Sequence, residues 1–168
     1  ILGTLHEINL SDCGLGPSSA AKLGKAVSSA DASIASLTLD SNGIFGEIWG
    51  DGSAKEADKF VAKVQPFLDE LKTSSLTSLS LRGTGMGVKG VAAFADAIRA
   101  MPSIKVINLS ECSLTGATRN RGRWENIDSD MTGFTALCGV LGMLEEINLS
   151  NCHLGPASAA ELGKAVSS

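Results

Sequence analysis

The chain has 168 residues, of which 43% are hydrophobic, and its formal net charge at pH 7 is -4. That apolar content is sufficient for a continuous core, so the composition excludes an intrinsically disordered chain. The negative charge disfavours general nucleic-acid binding, and no run approaches the roughly 18 apolar residues of a membrane span. Aromatic residues make up only 4% of the chain, which favours thin layers of aliphatic side chains.

Five segments follow the pattern L-x-x-L-x-L-x-x-(N/C)-x-L, which is typical of a repeat protein. They start at Leu5, Ile34, Leu76, Ile104 and Leu144. Alternation of apolar and polar residues within each segment predicts a short strand with one buried face. Eight residues after each start, a small polar residue is expected to hydrogen-bond backbone groups at the turn. These residues are Cys13, Asn42, Thr84, Cys112 and Cys152.

Each turn is followed by apolar residues at helical spacing, such as Ala20, Leu23 and Val27 in the first repeat. One face of the segment is therefore apolar, which predicts one helix after each strand. In the second repeat, Pro66 falls inside the predicted helix. Because proline lacks the backbone donor of a helix interior, we expect a kink or two short helices there.

Residues 5–29 recur at residues 144–168 with 20 of 25 positions identical. The repeat starts are separated by 29, 42, 28 and 40 residues, so short and long repeats alternate. Four repeats therefore form one larger unit. We expect the sequence to be a fragment of a longer array.

This pattern resembles leucine-rich repeat proteins of the ribonuclease-inhibitor type over essentially the whole chain. The resemblance implies an α/β fold, a right-handed horseshoe solenoid with an inner parallel sheet and outer helices. It also implies a single domain over residues 1–168 with about five repeats. Family resemblance alone does not name a ligand, because such repeats bind many unrelated proteins.

Each long repeat carries an insertion between its strand and its helix. The insertions run from Phe45 to about Ala57 and from Thr115 to about Met131, and each contains one tryptophan, Trp49 or Trp124. Each tryptophan is expected either to pack back onto its loop or to contact a partner. Both loops are expected at the edge of the sheet where the strands end.

The two insertions differ in charge. The first is acidic at Glu47 and Asp51, and the second begins with Arg119, Arg121 and Arg123. They either contact each other across the third repeat or remain separately solvated. Exposed ion pairs of this kind contribute only about 0 to 1 kcal/mol.

The exposed strand positions are mostly small and polar, and they are expected to line the concave face. Arg82 is the one guanidinium on that face, and it either pairs with Asp40 of the neighbouring strand or contacts a partner. Asp128 and Asp130 are expected to cap the helix that follows them.

The residues do not indicate catalysis. His6 and His153 have no nucleophile or carboxylate at a recognised spacing, and no C-x-x-C pair exists among the four cysteines. We therefore expect no enzyme activity, no metal and no cofactor. The cysteines are expected to be reduced, buried thiols, which favours a cytoplasmic location.

The sequence predicts a protein-interaction scaffold that binds a protein partner through the concave face and the two inserted loops. The candidate contact residues are Trp49, Trp124, Arg119, Arg121, Arg123, Glu47, Asp51, Arg82 and Asp40. One alternative is a regulator of an enzyme, such as a GTPase activator or an immune sensor, which the arginine cluster favours. Another is a structural element of a long array, whose apolar end layers would associate end to end.

Overall fold

The fold comes from a computed structural model, and the structure describes residues 5–168. Residues 1–4 of the predicted domain lie outside the described residues. In the described part, short strands alternate with helices. The elements are β1 (Glu7–Asn9), α1 (Pro17–Val27), β2 (Ser36–Thr38), β3 (Glu47–Ile48), β4 (Ala54–Glu56), α2 (Val61–Leu71), β5 (Ser78–Ser80), α3 (Val88–Ala100), β6 (Val106–Asn108), β7 (Thr118–Asn120), β8 (Arg123–Glu125), α4 (Thr132–Cys138), β9 (Glu146–Asn148) and α5 (Pro156–Ser167).

Five strands form one parallel sheet in the order β1-β2-β5-β6-β9. The register places one aliphatic side chain of each strand in a single row across the sheet. The row consists of Ile8, Leu37, Leu79, Ile107 and Ile147. We call each of these strands, with the chain up to the end of the next α-helix, a layer, and we number the layers one to five. The predicted strand after each repeat start is confirmed.

The core lies between the sheet and the helices, which pack on one another in chain order. Leu37, Leu79 and Ile107 of the sheet are at most 1% exposed. Phenylalanine contributes more than the composition suggests, because Phe45, Phe67, Phe94 and Phe134 are the largest fully buried side chains. Burial of one such side chain stabilises the fold by about 1.5 to 3 kcal/mol. Within residues 5–168, no helix is both long and apolar enough to span a bilayer.

Asn42 shows how the turn residues join one layer to the next. Its buried amide nitrogen donates to the carbonyl oxygens of Leu10, at 2.8 Å, and Leu39, at 2.9 Å. Its amide oxygen accepts from the backbone N–H groups of Cys13, at 3.1 Å, and Leu15, at 2.9 Å. The predicted hydrogen bonding of the turn backbone is confirmed here, since one side chain satisfies groups of layers one and two.

Two of the cysteines occupy the same turn position in layers four and five. The thiols of Cys112 and Cys152 donate to the carbonyl oxygens of Leu81, at 3.5 Å, and Leu109, at 3.1 Å, each in the preceding layer. Burial raises the pKa of the Cys112 thiol to about 11 and that of Cys152 to about 12. The expectation of burial is wrong for Cys13, which is exposed because no further layer covers it in the described structure.

Pro66 does not divide its helix, so the expectation of two short helices is wrong. Helix α2 continues through this residue. Pro66 lies on the exposed side and removes a single backbone donor, while Val64 and Leu68 are fully buried beneath it. A side-chain hydrogen bond of 3.0 Å from Gln65 to Asp69 also spans the proline.

Candidate functional site

Both insertions fold into antiparallel hairpins. The first hairpin (residues 47–56) pairs β3 with β4, and the second hairpin (residues 118–125) pairs β7 with β8. The base of the first hairpin, at Gly46, packs closely against the turn of layer three, at Gly85. A Cβ atom on Gly46 would lie 2.7 Å from the carbonyl oxygen of Gly85, so a side chain has no room there. The first hairpin is therefore packed against layer three at its base.

Trp49 lies in the turn of the first hairpin. The turn is closed by backbone hydrogen bonds from Trp49 to Ser53, at 2.8 Å, and from Gly52 to Trp49, at 2.9 Å. The indole is 52% exposed, and the ammonium group of Lys55 lies 5.4 Å from its ring centroid. Trp49 therefore does not pack into the base of its loop but remains available at the surface.

Glu47 is held at the base of the first hairpin by two lysines. Its carboxylate pairs with Lys59 and, at 3.3 Å, with Lys55. These hydrogen bonds, from Lys59 first and then from Lys55, lower the pKa of Glu47. Its charge is consequently neutralised within the hairpin.

The second hairpin turns through Arg121 and Gly122, with φ angles of 46° and 81°. Two successive positive φ values are those of the type I′ turn, the usual two-residue connection of a hairpin. Arg119 lies directly opposite Trp124 in the ladder, so their side chains share one face. Arg123 pairs with the next position and faces the other side.

The two hairpins contact each other through an ion pair. A guanidinium nitrogen of Arg119 donates to Oδ2 of Asp51 at 2.9 Å. The pKa of Asp51 falls to about 2, chiefly through hydrogen bonds from the hydroxyl and backbone of Ser53 and then from Arg119. The alternative in which the insertions touch across the third repeat is therefore the one observed.

Trp124 packs back onto the protein. Its ring stacks on the imidazole of His153 in layer five, with centroids 3.5 Å apart and an angle of 20° between the planes. Burial, and then the nearby Arg119, lowers the pKa of His153. Trp124 therefore fastens the second hairpin to the following layer instead of standing free.

A groove lies between the two hairpin turns, with a volume of about 440 Å³. We call it the hairpin groove; it is lined by Trp49, Gly50, Asp51, Arg119, Arg121 and Gly122. A second cavity of about 260 Å³ lies beside it, lined by residues that include Asp51, Glu111 and His153. Five of the predicted contact residues therefore line these two adjacent cavities: Trp49, Asp51, Arg119, Arg121 and Trp124.

Arg82 and Asp40 do not form the predicted side-chain pair. The Arg82 guanidinium instead donates to Glu111 of layer four at 2.8 Å. Oδ1 of Asp40 accepts from the backbone N–H of Arg82 at 3.1 Å and from the hydroxyl of Ser80. Since the adjacent strand already occupies the short Asp40 side chain, the longer arginine reaches the opposite neighbour.

Asp58 was not identified from the sequence, yet it holds the first hairpin to layer three. Its Oδ1 accepts from the backbone N–H groups of Gly87, at 2.7 Å, and Gly90, at 2.9 Å, and its Oδ2 from Lys89, at 2.7 Å. It therefore caps α3, a helix in the layer after its own. The sequence does contain a signal for a cap from elsewhere: Gly87, at the N-cap position of α3, has no side chain that could accept a hydrogen bond from the first turn.

Asp128 has the same role one repeat pair later. It accepts from the backbone N–H groups of Gly155, at 3.1 Å, Ala157, at 2.9 Å, and Ser158, at 3.2 Å. Burial acts to raise the pKa of Asp128, but the hydrogen bonds from Ser158 and the backbone outweigh it and lower the pKa. The prediction that Asp128 caps the helix directly after it is wrong, because it caps α5.

Asp130 does cap the helix that follows it. Its Oδ1 accepts from the backbone N–H of Thr132, the first residue of α4, at 3.0 Å. The capping prediction is thus right for Asp130.

Comparison with known families agrees with this architecture. The family model described as Leucine Rich repeat matches residues 4–24 and 73–95, which cover much of layers one and three. No curated protein matches the chain. Residues 4–24 and 73–95 are therefore similar to leucine-rich repeats, which generally mediate protein–protein interaction. The ribonuclease-inhibitor type stays a prediction.

Proposed function

We propose that this protein is an interaction scaffold that binds a protein partner at the hairpin groove. The observation that carries the proposal is Trp49, which is half exposed at the edge of a concave site. Tryptophan and arginine are the residues most enriched among those that dominate binding energy at protein interfaces. Here Arg119 and Arg121 line the groove beside the indole.

The groove is held in place before any partner arrives. The ion pair of Arg119 with Asp51 joins the hairpins, and the stack of Trp124 on His153 fixes the second one. A site whose walls are already ordered loses less conformational freedom on binding. We therefore assign Trp124 and Arg119 a supporting role. We assign direct contact in the groove to Trp49 and Arg121, and contact beyond it, on the other face of the hairpin, to Arg123.

The sheet face contributes less to the proposed interface. Arg82 is paired with Glu111, and Asp40 is bonded to its neighbouring strand. A partner would have to compete with these contacts. We propose a horseshoe of the ribonuclease-inhibitor type, supported by the full helices of layers one to three, with a partner extending from the groove over the concave side of the sheet.

Site-directed photo-cross-linking tests the proposal. A photo-reactive amino acid at Gly50, in the groove wall, is expected to capture a partner from the native cell extract. The matched control places it at Lys22, an exposed residue of α1. Trp49→Ala should remove the Gly50 product. Equal capture from Lys22, or a product that survives Trp49→Ala, would overturn the proposal.

An array element is a second candidate, because the outer layers bury their apolar residues incompletely. Ile8 and Ile147 are partly exposed, whereas Leu79 in the middle of the same row is 1% exposed. Val166 on α5 is 71% exposed. End-to-end association would cover these faces, and sedimentation velocity over a range of concentrations tests it. A single species at all concentrations would count against this role.

Regulation of a GTPase is the weaker alternative, since Arg119 is already paired with Asp51. Stimulated hydrolysis in a GTPase panel, lost with Arg121→Asn, would favour it over a passive scaffold.

We also propose a cytoplasmic location. The four cysteines are free, and burial raises the thiol pKa of Cys112 and Cys152, which suits stable thiols in a reducing compartment.

A further inference from the structure

We infer that the hairpin groove takes an acidic linear peptide with one apolar side chain. This inference rests on the proposed function and specifies the chemistry of the partner. It combines two features of the groove: an exposed aromatic wall, and cations that the protein does not neutralise itself. Each feature comes from a different hairpin.

The aromatic wall provides the place for the apolar side chain. Half of the Trp49 surface is exposed, although an indole of this size is usually covered. The groove volume of about 440 Å³ lies within the range of about 300 to 1,000 Å³ that is usual for ligand pockets. One aromatic or large aliphatic side chain, together with its backbone, therefore fits against the ring.

The cations lie on the second hairpin. Arg119 is paired with Asp51, but Arg121 and Arg123 are exposed and form no ion pair among residues 5–168. Arg121, at the turn, lines the groove and also an open cavity of about 540 Å³ on the other face of the second hairpin, which Asn120, Arg123 and Glu125 line too. The surface beyond the aromatic wall is thus basic, on a chain whose net charge is -4.

The distribution of charge favours a peptide over a nucleic acid. Carboxylates flank the basic surface, with Asp51 on one side and Glu125 on the other. A phosphate chain carries a charge at every nucleotide and would approach these groups. A peptide carries charge only at some of its residues, so two or three carboxylates beside one apolar residue can meet Arg121 and Arg123 while the rest of the peptide is uncharged.

Fluorescence polarisation with synthetic peptides tests the inference. The probe is a fluorescein-labelled, glutamate-rich peptide of about a dozen residues with one central phenylalanine. We expect it to bind more tightly than the same peptide with a central serine, and a lysine-rich counterpart is expected not to bind. Binding should weaken as salt is added, because exposed charges are screened.

Two sets of variants separate the contributions. The double variant Arg121→Asn, Arg123→Gln removes both cations and keeps a residue that tolerates positive φ at the turn. It should weaken binding about five- to tenfold, the effect of two exposed charge contacts. The control Lys22→Gln, Lys25→Gln removes the same charge from α1 and should leave binding unchanged. Trp49→Ala should abolish the preference for phenylalanine over serine.

The outcomes distinguish the inference from the proposed function. Equal binding of acidic and basic peptides, or no effect of the arginine double variant, would overturn the acidic partner. Tighter binding of a single-stranded oligonucleotide would overturn it as well. If Gly50 still cross-links a partner in that case, the scaffold function stands and only the partner chemistry is wrong. If Gly50 captures nothing either, both proposals fall.

Discussion

The Trp124 ring lies against the His153 imidazole of the next layer, with centroids 3.5 Å apart. His153 has a φ angle of 53°, and the corresponding residue of the duplicated segment is Gly14, with a φ angle of 67°. The turn therefore keeps one backbone shape in both places, and only the later copy has a side chain for a tryptophan to cover. The His153 side chain thus holds the second hairpin against layer five. Glycine, which occupies the equivalent position 14, is the substitution that removes this contact and suits the same backbone conformation.

The stack should make stability depend on pH. Because burial and Arg119 lower the pKa of His153 below its usual 6.5, the folded protein favours the neutral ring. The contribution of the neutral His153 ring to the free energy of unfolding is fully present above pH 6.5, the pKa in the unfolded chain. It is lost as the pH falls through the lower pKa of His153 in the folded protein. We expect the difference in unfolding free energy between the native chain and His153→Gly to shrink from pH 7.5 to pH 5, as measured by urea denaturation.

Fluorescence reports the same titration directly. In a Trp49→Phe background, the emission of Trp124 should change with a midpoint below pH 6.5, and the change should vanish with His153→Gly. A midpoint above 6.5, or a pH-independent emission, would contradict the arrangement of Trp124, His153 and Arg119.

Removal of the Asp128 cap should destabilise α5 from its first turn. Asp128→Ala leaves the N–H groups of Gly155, Ala157 and Ser158 without their acceptor, and we expect a loss of about 1 to 2 kcal/mol in unfolding free energy. Hydrogen exchange should accelerate at the amides of Ala157 and Ser158. Asp130→Ala is the comparison, and it should affect α4 instead; equal protection of α5 in both variants would refute the assignment.

Asn42→Ala should be among the more damaging substitutions in the turns. The amide is fully buried and bonds to backbone groups of two layers, so alanine leaves several buried polar groups unsatisfied. We expect a loss of about 3 kcal/mol in unfolding free energy. Thr84→Ala is the comparison, since the Thr84 hydroxyl donates to the carbonyl oxygen of Leu81 in its own layer, whereas the Asn42 amide bonds to backbone groups of two layers. A smaller loss for Asn42→Ala than for Thr84→Ala would contradict the cross-layer role.

The duplicated segments allow a matched test of which helix faces are covered. A Cβ atom on Gly24 would lie 3.0 Å from Phe67, whereas Gly163, at the equivalent position, has nothing within 4 Å. Gly163→Ala should stabilise the protein by up to about 1 kcal/mol through helix propensity. Gly24→Ala should be destabilising, because Phe67 must move. Urea denaturation of the dilute protein measures both, and equal effects would show that the α5 face is covered.

Much of the fold could be predicted because the repeat pattern is local. The alternation around Ile8, Leu37 and Leu79 specifies which side of each strand is buried, and the small polar residue after it specifies the turn. The meeting of Asp51 and Arg119 could also be anticipated, since both insertions leave the sheet at one edge and carry opposite charges.

The remaining contacts depend on geometry that no local pattern contains. Arg82 has an acidic neighbour on each side, and the choice of Glu111 depends on what already occupies Asp40. Asp128 reaches α5 only because the insertion folds into a hairpin that delivers it there. Trp124 meets His153 for the same reason. The sequence indicates that Trp124 and Asp128 belong to the second insertion and that Arg82 lies on the sheet face, but it does not assign their partners.

The placement of Asp58 and Asp128 bears on how such a chain can be shortened, extended or recombined. Each carboxylate belongs to a long layer and serves the helix of the short layer after it. A junction between a long layer and the following short layer separates a helix from the aspartate that caps it. A junction after the short layer leaves the hydrogen bonds of both aspartates intact. The indivisible building block for duplication or for engineered arrays is therefore a long layer followed by a short one.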